Sequence, residues 1–403
     1  MKIRSITAFY NPLSDNTIES LSSRVAAIKS EMVNSGWDVQ TLRLSTIPFG
    51  QYTTPSNCIG KIQSLAENAR HFGFDYLSIG PARLSQPWEY EMIPQLFAET
   101  QDVFASAFLS HPQKGISIHA VQECARIIVR TAKITADGFA NLRFCALSNV
   151  RPFIPFFPAS YGYGKHSAFA FAIETADAAV KAFQNSESIP EGQQTLLRNL
   201  NRAARELGKI ADRFEGKNNF MFKGFDFSLA PFPQEWCSLA KAVELINGQP
   251  IGTIGSLYAA SILAGVLDEG TWKKVGFNGL MFPVLEDSVL ADRSREKSFS
   301  IKDLIMYSAV CGTGLDIVPL PGDIAAENIQ PLLMDIAALS LRLHKPLTAR
   351  LMPLPGFCCG DITTFDFDFF RNGRILDFEA DSLNPITRGS EWLKIIRRLP
   401  VLH

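Results

Sequence analysis

The residues of this sequence best suited to chemistry are acids and a cysteine set among apolar neighbours. Asp226 interrupts GFDFSLAP, Glu286 and Asp287 end GLMFPVLED, and Cys311 and Asp316 lie in SAVCGTGLDIVPLPGD, Ser308 to Asp323. A carboxylate taken out of water must be paired, hydrogen-bonded or neutralised, and each of these changes its hold on a proton. Acids so placed suit acid/base work and leave room for a divalent cation as cofactor. Each also has a plainer reading. Asp226 equally suits a structural arginine or a backbone pairing, and Glu286–Asp287 a solvated strand exit. Neighbours on an extended strand face opposite sides, so Glu286 and Asp287 serve one site only if the chain turns there. Asp316 and Asp323 would stand roughly 23 Å apart on extended chain, meeting one ligand only if Pro319 and Pro321 bend it. Asp323 alone fits the N-cap of the helix that follows.

Cys311 is the candidate nucleophile, but a thiol attacks only as thiolate. A helix ending at Gly312 places Cys311 at the negative end of the macrodipole, which opposes ionisation, and a buried inert thiol is the commoner fate. Vicinal Cys358 and Cys359 admit redox chemistry, with a structural role favoured. Asn149, Arg151, His166 and Arg350 stand at apparent strand edges. Of these Asn149, His166 and Arg350 are ligand-binding candidates, weighed against the more frequent satisfied structural role. Gly312 and Gly314 do not make GxGxxG and no GxxxxGK[ST] occurs, so no nucleotide cofactor is expected.

The elements that must hold these residues read as α/β. The 403 residues are 46% apolar and only 20% charged, with 30 Phe, which implies a large buried core. A net charge of −1 with interleaved signs supplies neither a basic stripe nor a polybasic patch, arguing against nucleic acid and membrane surfaces as partners. A small-molecule ligand remains, and an oligomer of identical chains is compatible with the composition. Seven cysteines without a CxxC pair fit free thiols in a reducing compartment. MKIRSITAFYNPL lacks an apolar export core, so a cytoplasmic protein is expected.

Apolar runs near Ile3, Phe74, Leu142, Ser167, Gly224, Gly279 and Thr348 read as strands, several apolar on both faces as helix-covered strands are. Between them, amphipathic segments predict helices over 17–35, 120–136, 195–215, 256–267, 300–311 and 325–344. Ser300 with Asp303 resembles a capping box, and Pro331 either kinks the last helix or marks its first turn. Asn372-Gly373 inside FDFDFFRNGRILDF predicts a C-terminal β-hairpin. The polar stretch 184–194 is the one candidate for a linker or long surface loop, and one domain over residues 1–403 is expected. DIVPLPGD and ARLMPLPGF echo each other as two similar strand exits.

Together KVGFNGLMFPVLEDSVLA, MYSAVCGTGLDIVPLPGDIAAENI, KPLTARLMPLPG, FDFSLAP and SNVRPFIPFFPASY resemble the domain of unknown function 711 family, from ITAFYNPL to about Arg388. The resemblance implies a single α/β barrel of the kind found in pyruvate formate-lyase and other glycyl-radical enzymes, with Asp226, Glu286, Asp287, Cys311 and Asp316 lining its pocket. It brings no settled activity. The R-V-x-G-Y glycyl-radical signature is absent, so no glycyl radical is expected, and the chain departs from the family near His166 in YGYGKHS. The expected function is that of a cytosolic enzyme using carboxylates, with Cys311 in or beside the pocket, on a small polar metabolite. The alternative is a metabolite-binding or assembly protein without turnover.

Overall fold

The computed structural model of the chain describes residues 1–216 and 220–397. Its strands are β1 (Lys2–Tyr10), β2 (Val39–Thr46), β3 (Tyr76–Ala82), β4 (Val103–Phe108), β5 (Ser110–His111) and β6 (Gly115–Ser117). They continue as β7 (Phe144–Ser148), β8 (Ala168–Glu174), β9 (Met221–Asp226), β10 (Gly314–Pro321), β11 (Leu347–Leu354) and β12 (Trp392–Leu393). Nine of them form one sheet in the order β10-β11-β7-β4-β3-β2-β1-β8-β9, and β12, β6 and β5 form a small second one.

The large sheet is mainly parallel. Strands β1 to β4 and β7 run one way, while the β1–β8 and β7–β11 pairs are antiparallel, so β8 to β11 run the other way. Isolated parallel bridges Phe225–Lys274, Leu229–Leu280 and Pro283–Asp316 place the 274–283 stretch beside both β9 and β10.

Alternation along these strands separates two faces. Ile6 and Ala8 of β1, Leu42 and Leu44 of β2, and Leu77 and Ile79 of β3 join the main apolar core. The opposite face carries Ser5, Thr7, Ser45, Ser78 and Ser106, all buried. Small hydroxyl residues there leave room for what the loop between β7 and β8 brings in. Ser160 of that loop binds Ser45 and Ser78, and Gly162 N–H donates to the Thr46 carbonyl.

Helices cover the apolar face: α1 (Ile18–Asn34), α2 (Cys58–His71), α3 (Pro87–Glu99), α4 (Ile118–Ala132), α5 (Ala176–Gln184) and α6 (Ile189–Asp212). The second half adds α7 (Leu239–Asn247), α8 (Ser256–Glu269), α9 (Ser288–Arg295), α10 (Ile301–Cys311), α11 (Ala326–Leu343) and α12 (Pro385–Arg388). In α6, Leu196, Leu200, Leu207 and Ile210 recur at helical spacing and are buried, so this face docks on the core. The Ser300–Asp303 capping box starts α10, and Gly312 at φ 91° ends it.

The α/β class and all six expected helices are present, and several details differ. The 184–194 stretch is no long loop, because α5 runs to Gln184 and α6 begins at Ile189. Pro331 lies inside α11, beyond its first turn, and the N-cap of that helix is Ala325, not Asp323. GLDIVPLP is a full strand, β10, which is not among the apolar runs read as strands from the sequence. No two-residue hairpin forms at Asn372-Gly373, since neither residue has the positive φ that such a turn demands. The segment instead folds back through the single bridge Ile362–Arg374, and the Asn372 side-chain amide pairs with both backbone groups of Phe365.

Candidate functional site

An irregularity in the register of β1 against β8, between Ile3 and Ser5, sets Arg4 apart from the regular alternation. Its guanidinium meets Glu174, the last residue of β8, at 2.5 Å. Glu174 also accepts from Gln40 Nε2 at 3.2 Å. A second irregularity lies in β10, whose register against β11 shifts between Leu315 and Val318. Buried Ile317 takes φ 43° there, a left-handed conformation that a β-branched residue adopts only under strain. Beside it, Asp316 Oδ1 accepts from Arg350 Nε of β11 at 2.5 Å, with both side chains buried.

Glu286 joins these two pairs. It follows the 274–283 stretch in a turn, and its carboxylate lies 3.6 Å from Arg4 and 4.0 Å from Arg350. Arg350 is on the second strand of the sheet order and Arg4 on the seventh. On a flat sheet that separation would be roughly 24 Å at the usual interstrand spacing. Two long arginine side chains from strands so far apart in the sheet order nevertheless flank one carboxylate.

Burial sets the electrostatics. It pushes the Glu286 carboxyl above its ordinary range, outweighing the opposing pull of Arg350 and Arg4. For Arg4 and Arg350 burial works against the charge, but the surrounding acids outweigh it, and both guanidiniums are held more firmly protonated. Unlike Glu174 and Asp316, Glu286 accepts no hydrogen bond among the described residues, and its side chain is 15% exposed.

Three residues picked out from the sequence therefore meet here: Glu286, Asp316 and Arg350. Arg4 and Glu174 complete the cluster, with Arg43 of β2 beside them, and sequence reasoning missed all three. Their signal was present, since Arg4 in KIRSITAF and Arg43 in TLRLST fall within otherwise strand-like alternation, and Glu174 closes the apolar run of β8.

The other candidates stand elsewhere. Asp226 ends β9, and its carboxylate accepts the backbone N–H groups of Ser228, Phe277 and Asn278 and the Ser228 hydroxyl. Burial raises its proton affinity against those four donors. The chain does turn between Glu286 and Asp287, which separates them. Asp287 caps α9 and accepts from Ser238 Oγ at 2.5 Å and Ala240 N–H at 3.1 Å, and burial likewise raises its pKa. Cys311 is buried at the carboxyl end of α10, and no charged group of the cluster bonds to it. His166 is exposed. Asn149, at φ 54°, donates to Ser340 and lines a cavity of about 700 Å³ with Arg151, His111, Lys274 and Tyr161. Among the described residues no three His, Cys, Asp or Glu side chains group as a metal site, and in the cluster each acid faces an arginine.

Residues 1–372 match the family model described as Uncharacterised ACR (DUF711). The chain belongs to the DUF711 family. This DUF711 protein is 26% identical over 373 residues to a UPF0210 protein of Pyrobaculum islandicum, covering 86% of this chain and 81% of the relative. It is 29% identical over 281 residues to a UPF0210 protein of Pyrobaculum arsenaticum, covering 67% of this chain. A UPF0210 protein of Pyrobaculum aerophilum is 32% identical over 257 residues, 61% of this chain. The matches span 61% of the P. arsenaticum relative and 56% of the P. aerophilum one. None of these names states a reaction. No helix among the described residues is long and apolar enough to cross a membrane.

Proposed function

We infer that this DUF711 protein is an enzyme that holds a small polar metabolite inside a single α/β barrel and moves a proton on it with Glu286. Closure of the barrel is supported by the two opposed blocks of parallel strands and by the 274–283 stretch, whose bridges reach β9 on one side and β10 on the other. Seven free cysteines are in keeping with a reducing cytosol.

One observation carries the catalytic reading. Every other buried acid named above has hydrogen-bond donors from the protein, whereas Glu286 stands between two guanidiniums with none among the described residues, partly open, and with its proton affinity raised. A carboxyl whose pKa moves toward neutrality can both give and take a proton. Arg4 and Arg350, each anchored by its own acid, would stabilise negative charge that develops on a bound substrate. Asp226 and Asp287 serve this scheme by fixing the segments on either side of Glu286, and Cys311 has no step in it.

The experiment is a thermal-shift screen of small polar metabolites, followed by a turnover assay on each that binds, with Glu286→Gln alongside wild type. Loss of turnover by about 10²-fold or more with binding retained is expected of a general acid or base. Equal turnover in the two proteins overturns the role of Glu286.

A second reading, binding without turnover, is favoured by the 700 Å³ cavity beside Asn149 and Arg151. It predicts that Arg151→Ala abolishes the thermal shift while no bound metabolite is ever converted.

A further inference from the structure

Among the described residues Arg43 is the one member of the cluster without an acid. It projects from the middle of β2, opposite Thr7 of β1 and Tyr76 of β3. Its only hydrogen bond there is from Nε to Thr41 Oγ1 at 2.9 Å, and no carboxylate of the described residues lies within ion-pair distance. The guanidinium carbon stands 5.2 Å from the Phe157 ring centre and 5.8 Å from that of Tyr76, so two aromatic faces hold the plane in place. Its terminal nitrogens have no acceptor among the described residues and are not sealed from solvent.

A guanidinium carries five donors in a rigid fork, and leaving most of them unfilled in a semi-buried place is costly unless something else fills them. Neighbouring charge makes the cost greater. Burial first, and then Arg4 and Arg350, work against the Arg43 cation, with only Tyr76 and Glu174 in its favour. Phe157 belongs to the loop between β7 and β8, so the same loop that fills the polar face positions this unfilled fork.

We propose that Arg43 is the anchor for a carboxylate group of the ligand, so that the substrates are small monocarboxylate metabolites. Charge balance selects this class. Arg4, Arg43 and Arg350 face Glu174, Asp316 and Glu286. Glu174 pairs with Arg4, Asp316 pairs with Arg350, and Glu286 lies against those same two arginines, so among the described residues Arg43 is the cation of the cluster that no acid meets, and one further negative charge answers it. A monoanionic carboxylate matches that deficit and the planar fork, whereas a phosphate dianion exceeds it. The inference rests on the cluster being the ligand site, but not on Glu286 being catalytic.

The test uses acetate and inorganic phosphate as probes, at fixed ionic strength with chloride as the control, on wild type, Arg43→Gln, Arg43→Lys and Glu286→Gln. Acetate is expected to raise the wild-type melting temperature saturably. Its affinity should fall at least tenfold in R43Q and by less in R43K, and phosphate at pH 8 should bind more weakly than acetate. Without probe, R43Q should melt no lower than wild type, because it removes an unpaired cation and leaves no carboxylate stranded. An R43Q protein that binds acetate as wild type does overturns the assignment. So does phosphate binding more tightly than acetate, or a chloride effect as large as acetate's. If R43Q does not fold, Arg43 is structural and the proposal falls, with R43K then showing whether the charge or the fork was needed. E286Q that binds acetate normally yet retains full turnover removes the acid/base role alone and leaves the carboxylate anchor standing.

Discussion

Asp316 and Arg350 lie on adjacent parallel strands, 34 residues apart in sequence, with Oδ1 and Nε 2.5 Å apart and both side chains buried. Neither charge can be left alone in that interior. Removing one partner of such a pair typically costs about 3–5 kcal/mol, because the survivor is stranded without a counter-charge. Asp316→Asn and Arg350→Met should each lower unfolding free energy by that order in urea titrations. The double variant should lose clearly less than the sum of the two, since partners in contact are coupled. Additive losses would mean that the pair is not a unit.

Gly276 and Asp226 form a second coupled pair. Gly276 has φ +81°, and a Cβ there would lie 2.1 Å from Asp226 Oδ2. Gly276→Ala therefore meets both backbone strain and the carboxylate that ties β9 to the 276–279 turn. A loss of at least about 2 kcal/mol is expected, by analogy with other strained and overpacked sites. Asp226→Asn replaces an acceptor with an NH₂ facing backbone N–H donors and should be destabilising on its own. Combined with Gly276→Ala it should add little, because the first change has already broken the lock. A fully additive double variant in chemical denaturation counts against this.

Much of this architecture was legible in the sequence, and the losses have identifiable causes. The end of α10 could be read because local chemistry decides it: Ser300 and Asp303 bond each other's backbone, and Gly312 takes the left-handed turn. Strand β10 could not, because Pro319 and Pro321 argue against a strand interior. They are tolerated since β10 is the first strand in the sheet order, with only β11 as its regular neighbour. Glu286, Asp316 and Arg350 stood out as charges in apolar surroundings, but what unites them is the pairing of β10 with β11 and the Pro283–Asp316 bridge, long-range contacts that have no local signature. Arg4 was visible as a charge in a strand-like run, but the register irregularity that sets it apart has no sign in the sequence, and the predicted hairpin failed because the Asn372 amide bonds Phe365 instead of turning the chain.

Thiol labelling separates the cysteines. Cys358 and Cys359 are exposed and the other five are buried. Brief treatment of native protein with iodoacetamide, followed by peptide mass spectrometry, should mark Cys358 first. Cys359 should follow more slowly, because its thiol donates to Asp377 Oδ1 at 2.9 Å and that bond raises its pKa. Cys311 should stay unlabelled until the protein unfolds. Fast labelling of Cys311 would restore it as a candidate nucleophile.

The pH dependence of stability gives Glu286 a test that needs no substrate. Its carboxyl is pushed up from the ordinary value of 4.5 by burial, against the attraction of Arg350 and Arg4. In the unfolded chain Glu286 ionises near that ordinary value, while in the folded protein it still holds its proton. Rising pH therefore favours the unfolded wild type over this interval, and the loss levels off only above the raised value. Glu286→Gln is neutral throughout and escapes this penalty. The stability of E286Q relative to wild type should grow as pH rises from 4 toward 8, by at most about 1.4 kcal/mol for every tenfold gain in proton affinity that folding gives the carboxyl. Taking the difference between the two proteins at each pH cancels the titration of groups they share. Urea titrations at pH 4, 6 and 8 would measure it, and a gap that stays constant would mean that Glu286 ionises normally and is no acid donor at neutral pH. A gap that shrinks with pH would point the other way, to a carboxylate stabilised by its arginines, whose loss leaves Arg4 and Arg350 undercompensated.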